Sequence, residues 1–177
     1  LLCIQKTKIF QMKTTSLLVL IFLGLALFSC VQPPNYPIEP EIEYIGFNTL
    51  TFPQGGAGTP SDTLILTFAF TDGDGDIGFA DTTIDVFLTD SRTGFEEIRK
   101  LPVIPEEGVG NGISGEITLR FPNQPSQICC LYPDNSPGCS PNPEFPTDTF
   151  SYKVQIMDQA GNHSNVIQTE TVTLLCN

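Results

Sequence analysis

The sequence predicts an all-β protein, a β-sandwich of about seven antiparallel strands that follows an N-terminal leader. From Glu41 onward, apolar residues recur at every second position, which is the period of a half-buried strand. Turn-forming residues separate these runs, and the 177 residues include 15 Gly and 15 Pro. No stretch after Cys30 shows the 3.6-residue period of an amphipathic helix, so the all-β class follows.

The composition is that of an acidic chain. It contains 20 Asp and Glu against 8 Lys and Arg, which gives a formal net charge of −12 at pH 7. Because this charge would repel the phosphates of a nucleic acid, we expect no nucleic-acid partner.

The N-terminal leader has the organisation of a secretion signal. Met12 and Lys13 make a positive start, residues 17–28 form an apolar run of twelve, and Cys30 closes the leader. This run is too short for a comfortable membrane-spanning helix, which needs about 20 apolar residues. We therefore expect cleavage rather than permanent insertion, with translation starting at Met12 and residues 1–11 lying upstream.

The end of the leader, LFSC at residues 27–30, resembles the lipobox of bacterial lipoproteins. The resemblance implies that residues 1–29 are removed and that Cys30 is acylated, so the membrane is a partner through a lipid anchor. The expected location is the cell envelope, as an outer-membrane lipoprotein that is periplasmic or surface-exposed, because Val31 rather than Asp follows the cysteine. The alternative is an ordinary cleavage site that leaves a free thiol.

The mature chain divides into a tether and a domain. Residues 30–40 form a Pro-rich tether, and residues 41–177 form the predicted sandwich. Removal of the leader takes away three lysines and no acid, so five basic and 20 acidic residues remain and the formal charge becomes −15. The 148 mature residues suit one domain with one core.

Alternation and turns together define the strands. In chain order, the predicted strands are A 42–51, B 63–71, C 84–90, D 95–101, E 114–121, F 149–157 and G 165–175. Strand D mixes charges of both signs, which is typical of an exposed edge strand. The alternation breaks at residues 44–45 and 166–167, which predicts bulges there.

Strand F carries a family resemblance. The pattern D-x-F-x-Y-x-V at residues 148–154 resembles the D-x-A-x-Y-x-C segment of immunoglobulin domains, where the tyrosine forms the tyrosine corner. Residues 152–165 are similar to the closing hairpin of bacterial immunoglobulin-like and cadherin-like modules. The resemblance implies an immunoglobulin-like β-sandwich. Because Val154 replaces the cysteine, this sandwich would lack the buried disulfide between its sheets.

The loop after strand B concentrates negative charge. Its sequence, TDGDGDIG at residues 71–78, places Asp72, Asp74 and Asp76 at alternate positions with glycines between them. The glycines let the backbone curl so that the side chains converge, and oxygen-only ligands suit Ca²⁺. Three carboxylates this close repel one another unless a cation or full solvation relieves them. We expect a Ca²⁺ site here, and the alternative is a solvated turn.

Other residues are needed to complete this predicted site. The EF-hand pattern is rejected, because the positions that require Gly and Glu hold Ile77 and Thr83. The remaining oxygens are expected from the Gly78 carbonyl, from Asp81 or from another loop.

Sandwich topology gathers loops B–C, D–E and F–G at one end of the domain. The D–E loop brings Glu106, Glu107 and Asn111 to this end, and the F–G turn brings Asp158 and Asn162. The predicted metal ligands are Asp72, Asp74, Asp76, Asp158 and Asn162.

Four cysteines of the mature domain, Cys129, Cys130, Cys139 and Cys176, predict two disulfides in a secreted chain. The adjacent pair is disfavoured because its α-carbons lie closer together than a bridge prefers. Two pairings stay open, in which Cys176 bonds with Cys129 or with Cys130 and the other one bonds with Cys139. Either would pin the Pro-rich loop 122–147. Free or metal-bound thiols are the alternative.

The sequence offers no catalytic machinery. His163 is the only histidine, and no nucleophile elbow, zinc-ligand spacing or phosphate-binding glycine loop occurs. We therefore expect a non-enzyme, a lipid-anchored and Ca²⁺-stabilised immunoglobulin-like module that is structural or binds an envelope protein or a glycan. The alternative is an accessory carbohydrate-binding or hydrolase-type sandwich domain that uses the acidic loop end.

Overall fold

The computed structural model describes residues 35–56, 62–104, 112–124 and 127–176. Within these ranges the chain contains ten β-strands and no helix. Among the described residues there is no helix that is long and apolar enough to cross a membrane.

Several predicted features lie outside the described residues. They are the signal peptide at residues 1–29, the acylated Cys30, residues 31–34 of the tether and residues 105–111 of the D–E loop. The expectations for these residues stay predictions.

The ten strands, in chain order, are β1 Glu41–Phe47, β2 Thr51–Pro53, β3 Thr63–Asp72, β4 Val86–Asp90, β5 Glu96–Arg99, β6 Ile113–Pro122, β7 Thr147–Phe150, β8 Tyr152–Ile156, β9 Ile167–Gln168 and β10 Val172–Leu175. Within the described residues they form three sheets, with the strand orders β1-β3-β6, β2-β10-β7 and β5-β4-β8-β9. The predicted all-β sandwich is confirmed by this arrangement.

The inner faces of the sheets share one apolar core, and β3 shows how the sequence builds it. Its residues alternate between half-buried and buried, so that the even-numbered side chains from Leu64 to Phe70 all point inward. Across the sandwich, the ring of Phe121 on β6 stacks on Tyr152 of β8 with their centroids 5.6 Å apart. Full burial of one large apolar side chain in this core stabilises the folded state by about 1.5–3 kcal/mol.

The structure has ten strands where the sequence predicted about seven, because three of the predicted strands each divide between two partners. Strand A becomes β1 and β2. β1 pairs with β3 as far as Phe47, and a register shift between Tyr44 and Gly46 confirms the predicted bulge there. The chain then leaves β3, and Thr51–Pro53 pairs with β10. This pairing is parallel, whereas the sequence predicted antiparallel strands.

Predicted strands F and G divide for the same reason. Strand F changes partner at Ser151, because β7 pairs with β10 whereas β8 pairs with β4. Strand G is interrupted between Gln168 and Val172, since β9 pairs with β8 and β10 pairs with β7. At this break the Oγ1 of Thr169 accepts a hydrogen bond from the Tyr152 N–H at 2.9 Å. The side-chain hydroxyl thus takes the place of the backbone carbonyl that would accept this N–H in a continuous ladder.

The remaining strands follow the prediction closely. β5 lies at the edge of its sheet, next to β4, as its mixed charges predict. Predicted strand C begins at Val86 rather than at residue 84, and just before it the Asp85 carboxylate accepts a hydrogen bond from the Leu101 N–H at 2.7 Å. That bond ties the chain before β4 to the chain after β5.

Both disulfides form, in one of the two pairings that the sequence left open. Cys129 bonds with Cys139 and Cys130 bonds with Cys176, with α-carbon separations of 4.6 and 5.9 Å. Cys130 and Cys176 are fully buried, so their bridge joins the end of the last strand to the E–F loop inside the core. The prediction that Cys176 pins this loop is confirmed.

A buried glutamine organises the loop around these bridges. The Oε1 of Gln54 accepts hydrogen bonds from the N–H groups of Cys130 and Cys139, both at 3.1 Å. Its Nε2 donates to the carbonyl of Cys176 at 2.7 Å and to the hydroxyl of Tyr132 at 3.3 Å. One side chain therefore satisfies two backbone groups of a loop that has little apolar content of its own and one backbone group that follows the last strand.

Removal of the two bridges should have unequal effects on stability. The Cys130–Cys176 bridge spans 46 residues and the Cys129–Cys139 bridge spans 10. In the chain-entropy description their loss costs about 4 and about 3 kcal/mol respectively. We expect the Cys130→Ala/Cys176→Ala variant to unfold at a lower urea concentration than the Cys129→Ala/Cys139→Ala variant. Urea denaturation without reductant measures this, and equal or reversed midpoints would contradict it.

Candidate metal centre

Two aspartates reach the interior because they continue the inward faces of their strands. Asp72, the last residue of β3, occupies the inward position after Phe70 and is 0 % exposed. Asp158 follows Ile156 of β8 at the next inward position and is also 0 % exposed. Since β3 and β8 belong to different sheets, the two carboxylates meet between the sheets at one end of the sandwich.

The B–C loop turns sharply after β3. Gly75 has a φ of 78° and Gly78 a φ of 87°, values in the left-handed region that favours glycine. Within this turn the backbone N–H of Asp76 donates to Oδ2 of Asp72 at 2.9 Å. The turn thus brings the backbone of Asp76 next to the carboxylate of Asp72, as the spacing of aspartates and glycines predicts.

Hydrogen bonds join the F–G turn to this loop. Gln159 donates its backbone N–H to the Asp76 carbonyl at 3.1 Å and its Nε2 to the Gly78 carbonyl at 2.8 Å. Asn162 holds Asp158 in place, because its N–H donates to Oδ1 at 2.7 Å and its Nδ2 donates to Oδ2 at 2.8 Å. The two turns therefore form one connected unit.

Four carboxylates converge in this unit, and we name them the aspartate cluster: Asp72, Asp74, Asp76 and Asp158. One carboxylate oxygen of each lies within 4.8 Å of those of the others. Asp74 is exposed, Asp76 is half-buried, and the other two are buried. The Oδ1 atoms of Asp72 and Asp76 are buried and have no hydrogen-bond partner. Two unpartnered oxygens among four carboxylates form a donor set that fits a hard cation.

The structure brings together the four predicted carboxylate ligands and gives Asn162 a different contact. The Nδ2 of Asn162 donates to Asp158, which orients that carboxylate, so its role as a ligand stays a prediction. Asp81, an expected oxygen donor, lies outside the cluster, and its Oδ1 accepts a hydrogen bond from the Thr83 N–H at 2.9 Å. Three expected residues of the D–E loop lie outside the described part of the chain: Glu106, Glu107 and Asn111.

Sequence reasoning missed a further buried carboxylate, Asp85. Its Oδ1 accepts the Leu101 N–H, and its Oδ2 is buried with no hydrogen-bond partner. Burial raises the pKa of Asp85, whereas hydrogen bonds from the backbone of Leu101 and Phe79 act against this rise. The side chain thus links the B–C loop to the chain after β5. In the sequence, the position of Asp85 directly before the apolar strand β4 could have indicated that its carboxylate is buried.

Burial also governs the acid–base behaviour of the aspartate cluster. It raises the pKa of Asp72 from its ordinary 3.8 to about 6, the charges of Asp74 and Asp76 add to the rise, and the Asp76 N–H opposes it. Burial likewise raises the pKa of Asp76, and the charges of Asp158 and Asp74 contribute. Without a cation, the raised pKa values mean that Asp72 and Asp76 hold their protons more tightly in the folded protein than in the unfolded chain.

No protein-family model matches this chain, and no curated protein matches it. The chain is similar to a solved structure titled "X-ray structure of Northeast Structural Genomics Consortium target SoR45". The identity is 12%, the match covers 77% of this chain and 83% of that chain, and the TM-score is 0.23.

The raised pKa of Asp72 makes the stability of the cation-free protein depend on pH. The folded state keeps this proton up to about pH 6 and the unfolded chain releases it near pH 3.8, so the free energy of unfolding falls as pH rises through that window. Asp72→Asn does not titrate but still accepts the Asp76 N–H. In chelator, we expect the melting temperature of the wild type to fall relative to that of Asp72→Asn between about pH 4 and about pH 6.5. Parallel pH profiles would contradict this.

Proposed function

We propose that this protein is a non-catalytic, lipid-anchored envelope protein whose immunoglobulin-like domain is stabilised by Ca²⁺ at the aspartate cluster. The observation that carries the proposal is the pair of buried, unpartnered oxygens, Oδ1 of Asp72 and Oδ1 of Asp76. A buried polar atom left unsatisfied costs roughly 1–3 kcal/mol, and more when it is charged. One cation at the cluster would satisfy both oxygens.

The donor chemistry favours Ca²⁺ over a transition metal. All four members of the aspartate cluster offer carboxylate oxygens, which suit hard cations. The single histidine, His163, packs against the ring of Phe87 with the centroids 5.7 Å apart, so its ring is engaged elsewhere. Three of the four carboxylates lie outside the strands, and irregular segments suit the flexible coordination of Ca²⁺ better than the strict octahedron of Mg²⁺.

A cation at this site would have a structural role. Asp72 ends a strand of one sheet and Asp158 follows a strand of another, so an ion held by both would tie the sheets together. Four carboxylates around one divalent ion keep a net negative charge, which does not attract an anionic substrate. These features support a stabilising site rather than a reactive one.

The lipid anchor in this proposal rests on the leader sequence. Residues 27–30 resemble a lipobox, and acyl chains on Cys30 would bury hydrocarbon worth ~0.8 kcal/mol per methylene. The mature chain has a formal charge of −15, so anionic head groups would repel the domain and the acyl chains would supply the attachment. For a domain attached to the membrane by acyl chains on Cys30, the partner we propose is an envelope protein or a glycan.

Ca²⁺ should raise the melting temperature of the protein. A ligand that binds only the native state adds roughly 2.7 kcal/mol at a hundredfold excess over its Kd. We expect the wild type to melt at a higher temperature in Ca²⁺ than in chelator, and Asp74→Asn to lose most of this shift. Asp81→Asn is the matched control and should keep the shift, since Asp81 is exposed in the same loop but lies outside the cluster.

Scanning calorimetry with Ca²⁺ and with chelator decides this prediction. A wild-type melting curve that is the same in both conditions would reject the metal site. A shift that survives in both Asp74→Asn and Asp158→Asn would mean that the cation binds elsewhere.

Metabolic labelling with a fatty-acid probe tests the anchor. We expect the wild type to be labelled and to fractionate with the envelope membranes, and Cys30→Ser to lose the label because no thiol remains to be acylated. Ser29→Ala is the control, because it keeps a small residue before the cysteine and should label normally. A Cys30→Ser protein that still carries label would disprove acylation at this residue.

A further inference from the structure

The segment before β1, residues 35–40, lies against the loop that carries the aspartate cluster. Asn35, Ile38 and Glu39 are exposed, but Tyr36 is half-buried. A Pro-rich segment with no strand partner would ordinarily leave such a side chain in solvent. Contacts with the rest of the domain therefore cover part of the Tyr36 side chain.

Gly73 creates the room for one of these contacts. It lies between Asp72 and Asp74, and a Cβ placed on it would be 2.5 Å from the carbonyl oxygens of both Tyr36 and Pro37. Real Cβ atoms do not approach oxygen this closely, and the obstacle is backbone, which has no rotamer to escape into. Any other residue at this position would displace the segment or the loop.

Gly112 makes the second contact possible. A Cβ on Gly112 would lie 2.7 Å from Cδ2 of Tyr36 and 3.0 Å from the carbonyl oxygen of Asp72. The next residue, Ile113, pairs with Asp72 in the ladder between β3 and β6. Tyr36 is thus packed against both the loop after β3 and the chain that enters β6.

The place of Gly73 depends on the carboxylates on either side of it. Without a cation, the charges of Asp72 and Asp74 repel each other, and any separation of the two residues would shift the peptide that joins them. A cation bound by both carboxylates would oppose that separation and would hold Gly73 where Tyr36 and Pro37 pack against it.

We propose that cation binding at the aspartate cluster and docking of residues 35–40 are coupled, so that Ca²⁺ fixes the segment that leads toward the predicted anchor. This inference rests on the proposed cation site. Because such coupling is reciprocal, the docked segment must raise the affinity for Ca²⁺ by the same factor by which Ca²⁺ favours docking, typically about 5- to 150-fold.

Hydrogen exchange and calorimetry on the whole chain test the coupling with Ca²⁺ itself as the probe. In the wild type, we expect the amides of Tyr36, Ile38 and Glu39 to exchange at least about fivefold more slowly in Ca²⁺ than in chelator. Gly73→Ala should bind Ca²⁺ about 5- to 150-fold more weakly and should leave these amides equally fast in both conditions. Gly46→Ala is the control, because a Cβ there would meet nothing within 4 Å.

A second variant is needed because Gly73→Ala could lose Ca²⁺ binding simply by failing to fold. Tyr36→Ala removes the ring from its contact with Gly112 and leaves the loop sequence intact, so its Ca²⁺ affinity should fall in the same direction. If the wild type binds Ca²⁺ but the exchange of residues 35–40 is the same with and without it, the coupling is wrong and the cation site stands. If Tyr36→Ala binds Ca²⁺ as the wild type does, the coupling is also wrong. If the wild type binds no Ca²⁺, both the site and the coupling fail.

Discussion

The convergence of four carboxylates is the constraint on which this end of the protein depends. The alternation of β3 and β8 places Asp72 and Asp158 inside the sandwich, where they meet Asp74 and Asp76. Two unit charges about 5 Å apart repel each other by roughly 3 kcal/mol at an effective dielectric constant near 20. The hydrogen bonds from Asn162 and from the Asp76 N–H fix the positions of the carboxylates but leave their total charge unchanged. Protons or a cation reduce that charge, and above about pH 6 protons no longer do so for Asp72.

The two ends of the β3–β6 ladder are stabilised by different interactions. At one end Asp72 pairs with Ile113 beside the aspartate cluster, and at the other Thr63 pairs with Pro122, where the E–F loop begins. That second end relies on two disulfides and on the hydrogen bonds of Gln54. Covalent bonds act there at every pH and ionic condition, whereas the acidic end depends on what it binds. Residues 35–40 contact the acidic end, so this part of the chain packs against the end whose stability depends on what it binds.

Local patterns in the sequence predicted the fold class, most strands, the cysteine framework and the convergence of the acidic loops, because period-two alternation and residue spacing are local signals. The change of partner at Ser151 was not predictable, since it depends on which distant strand lies alongside. Gln54 gave no signal either, because its partners lie up to 122 residues away in the chain. The burial of Asp72 and Asp158 could have been inferred, as both continue an inward alternation. It was not inferred, because a carboxylate is rarely fully buried unless it is paired.

The most direct test of the central claim is to locate a cation by anomalous diffraction from crystals grown with Tb³⁺ in place of Ca²⁺. We expect one peak at the aspartate cluster, at a ligand distance of about 2.3–2.6 Å from Oδ1 of Asp72 and Oδ1 of Asp76. Oxygens of Asp74 and Asp158 should lie in the same coordination sphere. A cluster with no peak at saturating Tb³⁺, or a peak elsewhere while these four carboxylates contact only water, would contradict the account.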